Sequence, residues 1–269
     1  MLLPRGLRIA LRVATAVTLA FIYLPIALIV LYSFNSARVA SWPIAGLTLD
    51  WYAKAFANSG VRTALLNSVE AAIGATVVSL VLGSLVALAV QRHSFFGRQT
   101  LSFVVVLPLA LPGIITGIAL NTALRTIGVD FGLLTIIVGH ATFCVVVVFN
   151  NVVARLRRVS RTAEEASMDL GADTFQTFRR VTFPAIRSAL LAGGLLAFAL
   201  SFDEIIVTNF TAGVSTQTLP LWIFTNYQRP NNLPLVNVAA VVVLVLSILP
   251  VYLASRLTED PTAVASARG

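Results

Sequence analysis

The segment RLRRVSRTAEEASMDLGADTFQTFRRVTFPA (residues 155–185) is the longest charged run in a chain that is otherwise mostly apolar. It contains four acidic residues and six arginines, and it separates two long apolar stretches. Charged side chains are costly to place in hydrocarbon. We therefore expect this segment, called the charged loop below, to lie in water between two membrane spans.

The composition around the charged loop is that of an integral membrane protein. Of the 269 residues, 58% are hydrophobic and only 11% are charged, whereas soluble domains are about a quarter charged. A span needs about 20 apolar residues to cross the hydrocarbon layer. The sequence therefore predicts an all-α membrane protein with six transmembrane helices, placed near residues 13–32, 64–90, 100–123, 133–153, 186–210 and 235–255.

The first apolar stretch has two interpretations, because Arg5, Arg8 and Arg12 precede it as they would precede the core of a signal peptide. A signal peptide has an apolar core of about 7–15 residues followed by a small-x-small cleavage site. Here the core is longer, and the residues that follow, SFNSARVAS (33–41), contain no suitable site. We therefore expect an uncleaved first span.

Basic residues predict the orientation of the spans, because lysine and arginine are enriched in cytoplasmic loops. Six spans place both termini on one side, and that side carries fourteen of the 19 basic residues, including those of the charged loop. Both termini and the charged loop are therefore predicted to be cytoplasmic. The expected organisation is a first helix with an extracytoplasmic loop (1–60), a transmembrane domain (61–256) and a cytoplasmic tail (257–269).

Several classes of function are disfavoured by what the chain contains. The net charge of +8 does not indicate nucleic-acid binding, since the arginines cluster at the ends of apolar stretches. The single cysteine, Cys144, has no partner, and His93 and His140 have no ligand spacing, so neither a disulfide nor a metal site is expected. Lys54 is the only lysine and lies outside any G-x-x-x-x-G-K-[ST] motif, so the chain is not an ATPase.

Local signals predict that the first half of the charged loop is helical. Thr162 and Glu165 have the spacing of a capping box, in which each side-chain oxygen accepts a hydrogen bond from the other residue's backbone N–H. The helix is expected to continue to Leu170. Gly171 is the residue type that most readily adopts the left-handed conformation at a helix C-terminus. The prediction is a helix of about two turns.

A second short helix is predicted directly afterwards. Asp173 is a suitable cap, with Gln176 three residues later, and Pro184 is expected to end the unit before the fifth span. Small residues on the first helix leave room for the surface of another protein, and these are Ala163, Ala166 and Ser167. The alternative is a helical hairpin in the cytosol with no partner.

The charged loop resembles the EAA loop of ABC-importer permeases. The family pattern is E-A-A, three residues, G, nine residues and I-x-L-P, and the spacing here is identical. Serine, valine and phenylalanine replace the second alanine, the isoleucine and the leucine, which are mild departures. The resemblance covers residues from about 61 to 256, and the matching positions are Glu165, Ala166, Ser167, Gly171, Val181, Phe183 and Pro184.

This resemblance implies the type-1 importer fold in the bacterial inner membrane, with the short helix docked into a separate ATPase. The implied partners are a pair of ATP-binding subunits, a second permease in a heterodimer, an extracytoplasmic solute-binding protein and membrane lipid, but no nucleic acid. ATP and Mg would be bound by the ATPase, so no cofactor is expected in this chain. The implied ATPase-coupling residues are Glu164, Glu165, Ala166, Ser167, Gly171 and Pro184.

Three carboxylates, Glu70, Asp203 and Glu204, lie within or at the edge of predicted spans. Such groups usually face a partner or a wet cavity, so one alternative is a structural pair with a neighbouring polar group. The functional alternative is a path for a cation, to which other polar and aromatic side chains contribute hydrogen bonds and cation–π contacts. The candidates for that contribution are Asn209, Trp222 and Tyr227.

The segments SFDEIIVTNFTAG (201–213) and TLPLWIF (218–224) resemble the spermidine/putrescine permease branch, and specifically its PotC-like subunit. This resemblance implies inward transport of a polyamine. The same branch includes permeases for opines, aminoethylphosphonate and other small, amino-acid-like solutes, which remain alternatives. A secondary transporter usually shows internal repeats, and none is convincing here. An intramembrane enzyme is also disfavoured, because adjacent Asp203 and Glu204 have poor geometry for a shared catalytic site.

Overall fold

The computed structural model describes residues 4–39, 42–229 and 232–258. Most of the last predicted segment, the tail 257–269, lies outside these residues. Within the described ranges the chain forms α1 (Arg5–Ser33), α2 (Asp50–Ala57), α3 (Ser59–Arg92), α4 (Arg98–Ala110), α5 (Gly113–Thr126), α6 (Leu133–Leu156), α7 (Thr162–Asp169), α8 (Thr174–Thr177), a π-helical segment (Phe178–Thr182), α9 (Phe183–Phe202), α10 (Ile206–Thr211), α11 (Leu219–Tyr227) and α12 (Leu233–Thr258).

Five of the described helices are long and apolar enough to cross a membrane, or six if α4 and α5 are counted as one broken span. The axes of α4 and α5 differ by 106° at the break between them. Pro112 precedes the first residue of α5, whereas Pro108 lies inside α4. The bend between the two helices therefore lies at the second of these prolines.

The fifth span differs from the prediction at both ends. The sequence favours one span over 186–210, but the helix begins at Thr174 and passes through the π-helical segment and α9 to Phe202. Pro184 does not end the preceding unit, because the helix continues through it and Pro184 lies in the first turn of α9, directly after the π-helical segment. The chain then leaves the helix at Asp203 and resumes as α10.

The start of α7 also differs from the prediction. The predicted capping box between Thr162 and Glu165 is wrong. The residue before the helix is Arg161, and its side chain forms no capping hydrogen bond. Instead, the backbone N–H of Thr162 donates to Ser160 Oγ at 3.1 Å. The end of the helix agrees with the prediction, since Gly171 has a φ of +87°, a conformation that side chains disfavour.

The start of α8 agrees with the prediction in full. The backbone N–H of Gln176 donates to Asp173 Oδ1 at 2.7 Å, and the Gln176 side-chain oxygen accepts from the Asp173 N–H at 3.3 Å. This reciprocal pair is a capping box. The charged loop is therefore two short helices joined at a left-handed glycine, and the second continues without a break into a membrane span.

The chain divides into two compact units. The larger unit comprises Thr63–Leu221 and Val245–Gly269, and its core is built where α6 lies against α9 and α3. Close approach requires a glycine here, since a Cβ on Gly83 of α3 would lie 2.9 Å from the Val145 carbonyl oxygen of α6. Small residues at helix interfaces permit such approach in membranes.

The smaller unit comprises Met1–Arg62 and Trp222–Leu244. Its core contains Trp51, Ala55 and Val238, and the Trp51 indole donates to the carbonyl oxygen of Asn35 at 2.9 Å. The most apolar part of α1 is not buried at all within the structure. A helix that is apolar on all sides and unburied is typical of one that contacts lipid or another membrane subunit.

Candidate functional site

Helix α7 has two faces with different environments. Its outer face consists of the exposed residues Thr162, Glu165, Ala166 and Asp169, whose spacing places them along one side of a helix. Leu170, directly after the helix, is 90% exposed. Apolar groups exposed in this way next to a small residue form a surface that a second protein can cover.

The inner face of α7 consists of Glu164 and Ser167, which are half-buried and three residues apart. Glu164 Oε2 lies 3.0 Å from Arg92 Nε, and Glu164 Oε1 accepts a hydrogen bond from Thr182 Oγ1 at 2.9 Å. Ser167 Oγ is 3.2 Å from Thr177 Oγ1. Of the predicted coupling residues, Glu164 and Ser167 therefore contact other elements of the subunit through their side chains, whereas Glu165 and Ala166 are exposed.

The second candidate region is the break between α9 and α10, where Asp203 and Glu204 lie. The backbone N–H of Val207 donates to Glu204 Oε1 at 2.9 Å, so this carboxylate caps the start of α10. The Asp203 side chain is exposed and forms no hydrogen bond or ion pair within the described part of the chain. The two adjacent acids thus have different environments, and Asp203 carries the open carboxylate.

The remaining path candidates are spread over several elements. Glu70 is exposed on α3, and Asn209 is exposed on α10, six residues after Asp203. Trp222 and Tyr227 belong to the smaller unit. There the Trp222 ring is 8% exposed and its Nε1 would lie 3.2 Å from a Cβ on Gly60, whereas Tyr227 is 64% exposed. Of these two aromatic residues, Tyr227 is therefore the exposed one.

A buried histidine that the sequence did not indicate supports the same break. His140 of α6 is fully buried, with Nδ1 2.7 Å from Ser201 Oγ and Nε2 2.8 Å from Thr208 Oγ1. The Thr208 hydroxyl donates to the Glu204 carbonyl oxygen at 2.9 Å. Thr208 Oγ1 must then accept from Nε2–H, so that Nδ1 accepts from the Ser201 hydroxyl. One neutral imidazole thus joins α6 to both sides of the break.

Replacing His140 by alanine is expected to destabilise the larger unit. The substitution leaves the buried Ser201 hydroxyl without its partner and opens a cavity between α6 and the α9–α10 break. We expect a loss of about 2 kcal/mol or more, the cost of an unpaired buried polar group and the space beside it. Thermal unfolding of the protein in detergent measures the change.

The matched control is His93→Ala, since His93 is exposed after the end of α3. Its unfolding temperature is expected to equal that of the unsubstituted protein. Equal unfolding temperatures for His140→Ala and His93→Ala would show that the imidazole does not hold the break together.

Comparison with known proteins identifies the family. Residues 79–259 match the family described as "Binding-protein-dependent transport system inner membrane component", and this range is more than half of the chain. The chain therefore belongs to that family. It is a permease subunit of an ABC importer and a multi-pass protein of the bacterial inner membrane.

Curated relatives are similar over most of their length. The spermidine/putrescine transport system permease protein PotC of Haemophilus influenzae is 32% identical over 244 residues, which cover 90% of this chain and 94% of the relative. The putrescine transport system permease protein PotI of Escherichia coli K12 is 34% identical over 232 residues, covering 83% and 82% of the two chains.

Solved structures show the same fold. A chain of a bacterial alginate ABC transporter, in complex with an alginate pentasaccharide-bound periplasmic protein, has a TM-score of 0.71 at 16% identity and 94% coverage of both chains. A chain of the inward-facing MetNI methionine ABC transporter has a TM-score of 0.58 at 19% identity, covering 75% of this chain and all of that one. The predicted all-α importer fold is confirmed.

Proposed function

We propose that α7 is the helix through which a separate ATP-binding subunit drives this permease. The observation that supports this most strongly is the contrast between its faces. The inner face contacts α3 and the π-helical segment through Glu164, and the outer face, with Glu165 and Ala166, is exposed. The turn at Gly171 and the first turn of α9, which holds Pro184, complete the coupling segment. ATP and Mg are bound by the partner, and this chain holds no cofactor and has no catalytic residue.

The proposed arrangement places α7 and both termini in the cytoplasm, because most basic residues lie on that side of the predicted spans. A pair of ATP-binding subunits binds there. In the membrane the chain pairs with a second permease as a heterodimer, and an extracytoplasmic solute-binding protein delivers the solute. Residues 61–256 form the transmembrane domain of this assembly, preceded by the first helix and its loop (1–60).

The proposed solute is a polyamine, putrescine or spermidine. Two observations support it: the names of the relatives PotC and PotI include these solutes, and Asp203 has an exposed carboxylate with no partner among the described residues, at the break of a span. A carboxylate replaces part of the hydration that an ammonium group loses on leaving water. Glu70 and Asn209, which are exposed in the same unit as Asp203, are proposed to contribute to the path, and Glu204 supports it by capping α10. The other two predicted path residues, the exposed Tyr227 and the buried Trp222, belong to the smaller unit and stay predictions.

Uptake by cells that express this chain with its cognate ATPase, second permease and binding protein tests the solute. Radiolabelled putrescine is expected to accumulate, and excess unlabelled spermidine should suppress the signal at least about tenfold if both share one path. An opine and 2-aminoethylphosphonate are the matched competitors and are expected to have no effect. Suppression by either of these, and not by spermidine, would favour the alternative solutes of this branch.

A further inference from the structure

A largely buried ion pair joins the end of α3 to the inner face of α7. Arg92 is the last residue of α3, and its Nε lies 3.0 Å from Glu164 Oε2. Both side chains are 13% exposed, so water screens the pair much less than it screens a surface pair. The two residues are 72 positions apart in sequence, so the contact ties together distant segments of the chain.

The geometry of this contact shows that the attraction is mainly coulombic. Although Nε is within ion-pair distance of the carboxylate, neither Nε nor Nη2 of Arg92 forms a hydrogen bond of good geometry within the described residues. Both nitrogens are buried. The guanidinium charge therefore depends on Glu164 for compensation, and removal of the carboxylate would leave a half-buried cation without a partner.

Glu164 also reaches a second element with its other oxygen. Oε1 accepts the hydroxyl of Thr182, which lies in the π-helical segment Phe178–Thr182 at the start of the fifth span. Beside it, the Arg161 guanidinium donates to the carbonyl oxygen of Gln91, the residue before Arg92. One carboxylate on α7 is thus bound to two membrane-spanning helices at once, and a neighbouring arginine strengthens the link to one of them.

Side-chain contacts between two helices can transmit a displacement from one helix to the other, in addition to stabilising the fold. Helix α7 connects to the fifth span through the chain itself, by way of Gly171 and α8. It has no such covalent connection to α3, from which it is separated by α4, α5 and α6 along the chain. The side-chain contacts at Glu164 and Arg161 are therefore direct contacts through which movement of α7 can reach the end of α3.

We propose that the Arg92–Glu164 ion pair couples α3 to α7, so that Arg92 and Glu164 are positioning residues for the transport step. The inference rests on the proposed function, in which an ATPase displaces α7. It assigns to Glu164 a role inside the permease, distinct from the contact with the ATPase that the open outer face makes. Without the pair, ATP hydrolysis still moves α7, but α3 follows it incompletely.

The test uses the complete transporter, with ATPase, second permease and binding protein, carrying Arg92→Gln, Glu164→Gln or the exchanged pair Arg92→Glu with Glu164→Arg. Putrescine uptake and phosphate release are measured together, and ATPase binding is measured by pull-down. Each single variant is expected to bind the ATPase as the unsubstituted chain does. Its putrescine uptake per ATP should fall at least about fivefold, which is the smallest effect typical of energetic coupling between two sites. The exchanged pair should recover most of the loss.

Two further variants make the result specific. Arg92→Lys keeps the charge and is expected to retain about half of the uptake per ATP or more, since the attraction depends on charge more than on the guanidinium fork. His93→Gln, next in sequence and exposed, is expected to leave the ratio unchanged.

Three results would overturn the inference. One is an unchanged ratio in both single variants. Another is an exchanged pair as defective as either single variant, and the third is a loss of uptake that only parallels a loss of ATPase binding. A failure of the proposed function looks different, because the unsubstituted transporter would then show no ATP-dependent putrescine uptake at all.

Discussion

The Ala166→Arg substitution is expected to abolish ATP-driven uptake while leaving the permease folded. Ala166 lies on the outer face of α7, where it is exposed. Arginine is nearly as good a helix former as alanine, so α7 itself should persist. Its bulk and charge prevent close approach of the ATPase. We expect the affinity for the ATPase to fall by about two orders of magnitude, the effect of a central interface residue.

Pull-down of the ATPase by the tagged permease measures this loss directly, and putrescine uptake should fall with it. The matched control is Ala166→Ser at the same position, which keeps a small side chain and is expected to retain both binding and uptake. If Ala166→Arg binds the ATPase as well as Ala166→Ser does, the outer face of α7 is not the docking surface.

The Asp203→Asn substitution is expected to lower putrescine uptake about tenfold or more, since a hydrogen bond to a charged group contributes about 1.5–3 kcal/mol. The change is nearly isosteric; it removes the charge and replaces one acceptor oxygen by an amide NH2 group. Because the Asp203 side chain has no partner within the described residues, the fold should not change. Uptake at low putrescine concentration measures the effect, together with ATPase pull-down to show that the assembly is intact.

Glu204→Gln is the matched control, because it removes the adjacent charge but keeps an oxygen that accepts the Val207 N–H. Its uptake is expected to stay within about twofold of the unsubstituted chain, since a neutral acceptor replaces a charged one in a single capping hydrogen bond. Equal and full uptake in both variants, and in the double variant, would remove these two acids from the solute path.

The charged loop illustrates what local sequence signals can and cannot predict. The stop at Gly171 and the cap at Asp173 were predictable because each depends on backbone conformation and on residues within three positions. The start of α7 was not predictable from these signals, because Ser160 and Thr162 both carry a hydroxyl. Which of the two accepts a backbone hydrogen bond depends on the conformation of the preceding segment. The prediction that Pro184 ends the unit was wrong, because proline is also tolerated in the first turn of a helix.

The membrane contacts depended on partners that are distant in sequence. Nothing near Glu164 in the sequence indicates that its carboxylate faces Arg92 instead of a second protein. The role of His140 was hidden for the same reason, because Ser201 and Thr208 lie more than 60 positions away. The break after Phe202 was also missed, because the apolar residues Ile206, Val207 and Phe210 of α10 extend the apolar run beyond the two acids.

In the proposed function, a separate subunit hydrolyses ATP and displaces α7, and this movement drives the solute inward through the chain. The most direct test is uptake of radiolabelled putrescine into proteoliposomes that contain the purified transporter, with binding protein outside and ATP sealed inside. Transporters whose α7 faces the lumen are the ones that can use this ATP. We predict accumulation that requires both lumenal ATP and the ATPase subunit. Accumulation driven by an ion gradient without either of them would contradict the account.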